Sequence, residues 1–173
     1  MRATDPNFAE ATRSDTPPLS DADQRRRRDS TRWTLVQGIL APIQFLIFLI
    51  SLTLVLRYLA TGQGAEAATS SIVVKTIALY AIMITGSIWE KIVFGRWLFV
   101  PAFFWEDVFS MLVLALHTAY LVVLAADVGT ERGRMLLALA AYATYAINAT
   151  QFVLKLRAAR LQGSTPARMA VSG

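Results

Sequence analysis

The chain has 173 residues, 55% of them hydrophobic, with a formal charge of +5, one histidine and no cysteine. Without cysteine there are no disulfides, thiolate nucleophiles or cysteine-held iron–sulfur clusters, and one histidine per subunit excludes bis-histidine haem ligation or a multi-histidine metal site within one chain. Apolar content gathered in long blocks argues against a soluble domain and for an all-α, polytopic membrane protein.

Residues 1–30 are polar, include "DTPPLSDADQ", and have little to bury, which predicts a disordered polar and basic tail. The stretch "RRRRDSTRWTL" resembles the basic start of a secretory signal. The apolar block behind it is too long for a signal core, and no small-residue cleavage site follows promptly, so the block is read as retained. A twin-arginine address lacks the residues that should follow the pair.

Four apolar blocks follow, over about 35–59, 72–94, 106–126 and 135–156. Each approaches the roughly 20 residues needed to cross a bilayer core. Backbone groups in lipid must be satisfied internally, so the blocks are predicted helices. The predicted architecture is a four-transmembrane-helix bundle over 31–161, with a loose C-terminal tail over 162–173. The first connection, "ATGQGAEAATSS", is short and rich in small residues. The second, "FGRWLFVPAFFW", is aromatic; its Trp97, with Trp105, suits a membrane–water interface, and it is predicted to lie on the membrane surface. The third, "DVGTERGR", reads as a polar turn.

Basic residues flank the blocks, so the positive charge reads as topology and not as a nucleic-acid footprint. Seven arginines precede the first block, and Lys155, Arg157, Arg160 and Arg168 close the fourth. The positive-inside rule then places both termini in the cytoplasm. Arg57, Lys75, Arg132 and Arg134 read as edges of the other two connections.

With that topology the polar residues share a depth. Gln37 and Gln44 lie early in the first helix, Trp89, Glu90 and Lys91 late in the second, Glu106, Asp107 and Ser110 at the start of the third, and Asn148 and Gln151 late in the fourth. His117 falls near the midplane. Steps of four, three, four and three put Glu106, Ser110, Val113, His117 and Tyr120 on one helix face. Asn148, Gln151 and Lys155 share a face of the fourth helix; Gln37, Ala41, Gln44, Phe48 and Ser51 share one on the first; Tyr80, Met83 and Glu90 roughly align on the second. A charge facing lipid is costly, so these stripes are predicted to face one interior cavity. Simpler roles stand beside this one. Glu106 and Asp107 are also first-turn acids that complement a helix dipole. Glu90 and Lys91 also read as an interfacial pair, His117 as a hydrogen-bonded core residue, and the amides as interhelical glue.

The runs "WTLVQGILAPIQFLIF" (33–48), "SLTLVLRYLATGQG" (51–64), "IVVKTIALYAIMITGSIWEKIVFGRWLFVPAFFWEDVFSMLVLALHTAYL" (72–121) and "YAINATQFVLKLRAARL" (145–161) resemble the vinyl bacteriochlorophyllide hydratase family. The resemblance covers about residues 25–161. It implies a hydro-lyase that adds water across the C3 (ring-A) vinyl group of a chlorophyllide or bacteriochlorophyllide, giving a 1-hydroxyethyl group. It also implies a phototrophic bacterium and its cytoplasmic or intracytoplasmic membrane. The expected partners are the magnesium tetrapyrrole substrate and the lipid bilayer, with other pigment-biosynthesis enzymes or further copies of the chain left open, and no nucleic acid.

Alkene hydration needs an acid to protonate the terminal vinyl carbon, a conjugated ring to spread the cation, and a group that positions water; no cofactor is required. Burial suits a carboxyl group to such proton transfer. Glu106 is the candidate acid, with Glu90 or Asp107 orienting water. His117, Trp89, Trp105, Gln44, Ser110, Tyr120, Asn148 and Gln151 are candidate substrate-binding residues. The chain has no metal site of its own, but His117 is a candidate axial ligand to the substrate magnesium, or else a proton carrier. Lys155 or Arg157 is placed to meet the substrate propionate. A non-catalytic pigment-binding or assembly protein would need the same cavity. A proton-coupled exporter would tend to carry a glutamate deep in the first helix, where this chain has Gln44.

Overall fold

A computed structural model describes residues 22–101 and 103–163 of the chain. All regular structure among the described residues is helical: α1 (Ala22–Ser30), α2 (Arg32–Thr61), α3 (Ala65–Phe94), α4 (Phe104–Ala125) and α5 (Glu131–Gly163). The last four contain windows long and apolar enough to cross a membrane. Of the predicted tails, 1–30 and 162–173, residues 1–21 and 164–173 fall outside the described residues, whereas 22–30 form α1 and 162–163 end α5.

The helices pair as two antiparallel hairpins, α2 with α3 and α4 with α5, and the hairpins pack against each other mainly through α2–α5 and α3–α4. The start of α2, the end of α3, the start of α4 and the end of α5 therefore meet at one end, here the terminal end. The opposite, hairpin end carries the two tight turns. The α2–α3 turn is only Gly62–Gly64. Gly62 (φ 72°) donates its N–H to Tyr58 O at 2.7 Å, and Gly64 (φ 84°) opens α3. Both positions need left-handed backbone, which glycine adopts without steric cost.

This turn corrects the expected start of the second span. The segment 65–71, "AEAATSS", was grouped with the connection for its small, polar composition, but it forms the first two turns of α3. Alanine and glutamate favour helix, and Glu66 complements the positive helix start. Lys75, expected at the edge of that connection, consequently lies ten residues inside α3 and is fully buried.

The hairpin half is closed by an apolar cluster that includes Val55, Ala68, Ile72, Met135 and Ala138, each at most 1% exposed. The outer surface carries exposed Leu35, Ile39, Ile43, Leu46 and Ile50 along α2, with similar residues on the other helices. A bilayer-facing surface has this composition. At the terminal end the described residues of the α3–α4 crossover, 95–101 and 103, contain no helix. Its Val100 is buried, Phe99 adopts φ 58°, and Gly95 (φ 78°) ends α3 by donating to Lys91 O at 3.0 Å.

Candidate functional site

The stripe expected on α4 is the face it buries: Glu106, Asp107, Ser110, Val113, His117 and Tyr120. Residues spaced at helical period lie above one another, so packing α4 on its neighbours turns the whole set inward together. Gln44 (α2), Glu90 (α3) and Asn148 (α5) are buried beside them, as are Phe48 and Ser51 from the α2 stripe. Ala41 is exposed, and Gln37 is half-buried, donating from Nε2 to Thr85 Oγ1 at 2.7 Å.

Three carboxyl groups gather at the terminal end. Glu106 Oε1 accepts from Lys155 Nζ at 2.8 Å, closing an ion pair between α4 and α5. Lys155 Nζ also lies 4.6 Å from the Phe103 ring centroid. The neighbouring Asp107 accepts from the Phe99 N–H at 2.7 Å, which fastens the crossover to the top of α4. Asp107 also faces Glu90 across the α3–α4 interface. Two carboxyl groups that meet can bond to each other only with a proton between them, since an ionised carboxylate is acceptor only. Glu90 Oε2 is buried and has no hydrogen-bond partner among the described residues.

Below the carboxyl cluster the polar residues descend in steps. Asn148 Nδ2 donates to Ser110 Oγ at 2.9 Å, while Asn148 Oδ1 and the Oε1 of half-buried Gln151 have no partner among the described residues. Both amide atoms of Gln44 are likewise buried without a partner. His117 lies ten residues below Asp107 on α4, about 15 Å along the axis. Its Nδ1 is 2.8 Å from Val113 O. A carbonyl only accepts, so Nδ1 carries the hydrogen, and a neutral ring then presents a lone pair at Nε2, an atom with no partner among the described residues. Buried polar atoms are normally satisfied. A column of unsatisfied ones marks a place for water or a ligand.

Sequence reasoning missed Lys75. Its Nζ sits 3.8 Å from the Tyr145 ring centroid, near His117, and makes no hydrogen bond among the described residues. Tyr142 stacks obliquely on His117 at 5.7 Å and shares a hydrogen bond with Ser51. The signal available was helix propensity: extending the second helix back over "AEAATSS" would have carried Lys75 inward.

The other expected site residues separate. Trp89 is half-buried at the terminal end, where Nε1 donates to Thr34 Oγ1 at 2.9 Å and the ring meets Phe94 and Phe103 edge-on. Tyr120 belongs to the apolar cluster of the hairpin half. Trp105 is 67% exposed and points away from the carboxyl cluster, the position of an interfacial anchor. Lys155, expected to meet a substrate propionate, is engaged by Glu106. An open cleft of about 350 Å³ at the hairpin end, lined by Ala65, Glu66, Thr69, Ser70 and Glu131, lies at the opposite end from these groups. Its two carboxylates are first-turn acids of α3 and α5.

The family model described as 2-vinyl bacteriochlorophyllide hydratase matches residues 21–158, a range that contains every site residue named above. The chain belongs to the 2-vinyl bacteriochlorophyllide hydratase family. It is 69% identical over 144 residues to the 2-vinyl bacteriochlorophyllide hydratase of Cereibacter sphaeroides, covering 83% of this chain and 89% of that protein. It is 63% identical over 147 residues to the protein of the same name from Rhodobacter capsulatus, covering 85% of each. No solved structure matches the chain. Its four long apolar helices are those of a multi-pass membrane protein.

Proposed function

We propose that the chain adds water across the ring-A vinyl group of a bacteriochlorophyllide-type pigment held between its two hairpins, with the carboxyl cluster supplying the proton. The observation that carries this reading is the convergence of Glu90, Asp107 and Glu106 at one end of a polar column that leads to His117. The flat, apolar pigment suits aromatic and aliphatic walls with a few convergent polar groups.

In this reading the Glu90–Asp107 pair is the proton store. Asp107 already accepts the Phe99 N–H, which suits it to accept from Glu90 as well, and this leaves Glu90 as the donor to the alkene. Proton transfer to the terminal vinyl carbon breaks the alkene π bond and leaves a cation on the inner carbon, which the macrocycle spreads. Water attacks that carbon, and the surplus proton returns to the carboxyl cluster. Every atom of the added group comes from water. Glu106, held by Lys155, is the group placed to orient that water. This exchanges the roles first assigned to Glu106 and Glu90, because Glu106 Oε1 is engaged by Lys155 whereas Glu90 Oε2 has no hydrogen-bond partner among the described residues.

His117 Nε2 is the proposed axial ligand to the substrate magnesium; the Nδ1 bond to Val113 fixes the ring tautomer that such ligation needs. Basic residues at the end of α1 and beyond the membrane window of α5 support a cytoplasmic terminal end, from which water and protons would arrive. The deciding experiment incubates purified protein with vinyl bacteriochlorophyllide and weighs the recovered pigment. A product heavier by one water supports the reading. Pigment recovered bound and unchanged would favour a carrier instead.

A further inference from the structure

We infer that Lys75 is the anchor for the pigment's free carboxylate, so that the bundle selects a pigment acid over its ester and presents the vinyl edge to the carboxyl cluster; this rests on the reading above. Lys75 is fully buried near the middle of the bundle. The groups around it are neutral or aromatic: the Tyr145 ring from α5, His117 from α4, and the Phe48–Tyr145 contact from α2. Among the described residues it makes no ion pair and no hydrogen bond. Burying an ammonium without a counter-charge is costly, and a methionine or leucine would fill the same volume without that cost. The nitrogen therefore calls for an anion from outside the chain.

The pigment supplies one. A bacteriochlorophyllide carries a free propionate on ring D, a different pyrrole from the vinyl-bearing ring A. Lys75 lies fifteen residues before Glu90 on α3, so a pigment whose carboxylate meets Lys75 enters from the hairpin side of the carboxyl cluster. With the propionate at Lys75, the rest of the ring extends toward Glu90 and Asp107. In the same arrangement Lys155 stays with Glu106 and is not needed as the carboxylate anchor.

The test measures binding of vinyl bacteriochlorophyllide and its propionate methyl ester to the detergent-solubilised full chain, wild type, Lys75→Met and Lys75→Arg. Wild type is expected to prefer the acid by roughly tenfold or more, the size of one charge-assisted hydrogen bond. Lys75→Met should bring acid binding down to the ester's while leaving ester binding intact, which also shows that the variant is folded. Lys75→Arg should restore most of the preference. The inference is overturned if wild type binds acid and ester alike, if Lys75→Met keeps the preference, or if it loses both ligands equally. Hydration by a wild type without acid preference would sink this inference alone. Acid-selective binding without hydration would sink the catalytic reading and leave the anchor standing.

Discussion

Replacing Glu90 by glutamine isolates the proposed proton transfer. Glu90 is 7% exposed and faces Asp107, and its Oε2 has no hydrogen-bond partner among the described residues. Glutamine matches it in size and offers an N–H to Asp107, so the α3–α4 contact and the Phe99 clasp survive. What it lacks is a proton that can be given to carbon. General acid catalysis contributes about 10²- to 10⁴-fold, so Glu90→Gln should lower vinyl hydration by that range, about 3–5 kcal/mol in barrier. Pigment affinity should change by less than about threefold, since the apolar walls and His117 are untouched. The assay follows single-turnover formation of the hydrated pigment by mass in membranes holding matched amounts of protein. Glu106→Gln in parallel should slow hydration less, by about tenfold, because its proposed role is to place water. Turnover within about threefold of wild type for Glu90→Gln would refute the assignment, and a larger loss for Glu106→Gln would return the acid role to that residue.

Three further outcomes follow from the same geometry. Lys155→Met leaves Glu106 without its 2.8 Å partner in a largely buried setting. Thermal unfolding in detergent should show a loss of about 1–3 kcal/mol, reduced from the fully buried case by partial exposure, and adding Glu106→Gln should recover most of it. His117→Ala should weaken binding of magnesium pigment at least about tenfold more than binding of metal-free pigment, measured by absorbance titration; equal losses would exclude ligation. Gly62→Ala meets no steric neighbour but imposes left-handed backbone on alanine. It should cost about 1–2 kcal/mol of stability, read from unfolding curves, without changing pigment affinity.

Much of this site was legible because membrane helices expose their logic in sequence. The α4 face could be read from spacing alone: steps of three and four carry Glu106 through Tyr120, and any inward turn buries them together. Depth followed from helical rise. Pairing was not legible. Glu106 and Lys155 are 49 residues apart, and which carboxylate α5 would engage depends on the register between two helices. Asp107 as the clasp for Phe99 depends on a crossover with left-handed backbone at a phenylalanine, a conformation no residue preference announces. Lys75 was misplaced for a local reason, because small polar residues read as loop when they were helix. Trp105 was assigned to the pigment on composition, and only the rotation of α4 decides that it faces outward.

The apolar closure of the hairpin half has a bioenergetic consequence. An energised membrane punishes any protein that offers hydrogen ions a wet path from face to face. Here the ionisable column ends at Lys75 and His117, and Val55, Ala68, Ile72, Met135 and Ala138 form an insulating plug beyond it. A shaft closed at one end in this way would let proton transfer run inside the bilayer without discharging the ion gradient across it.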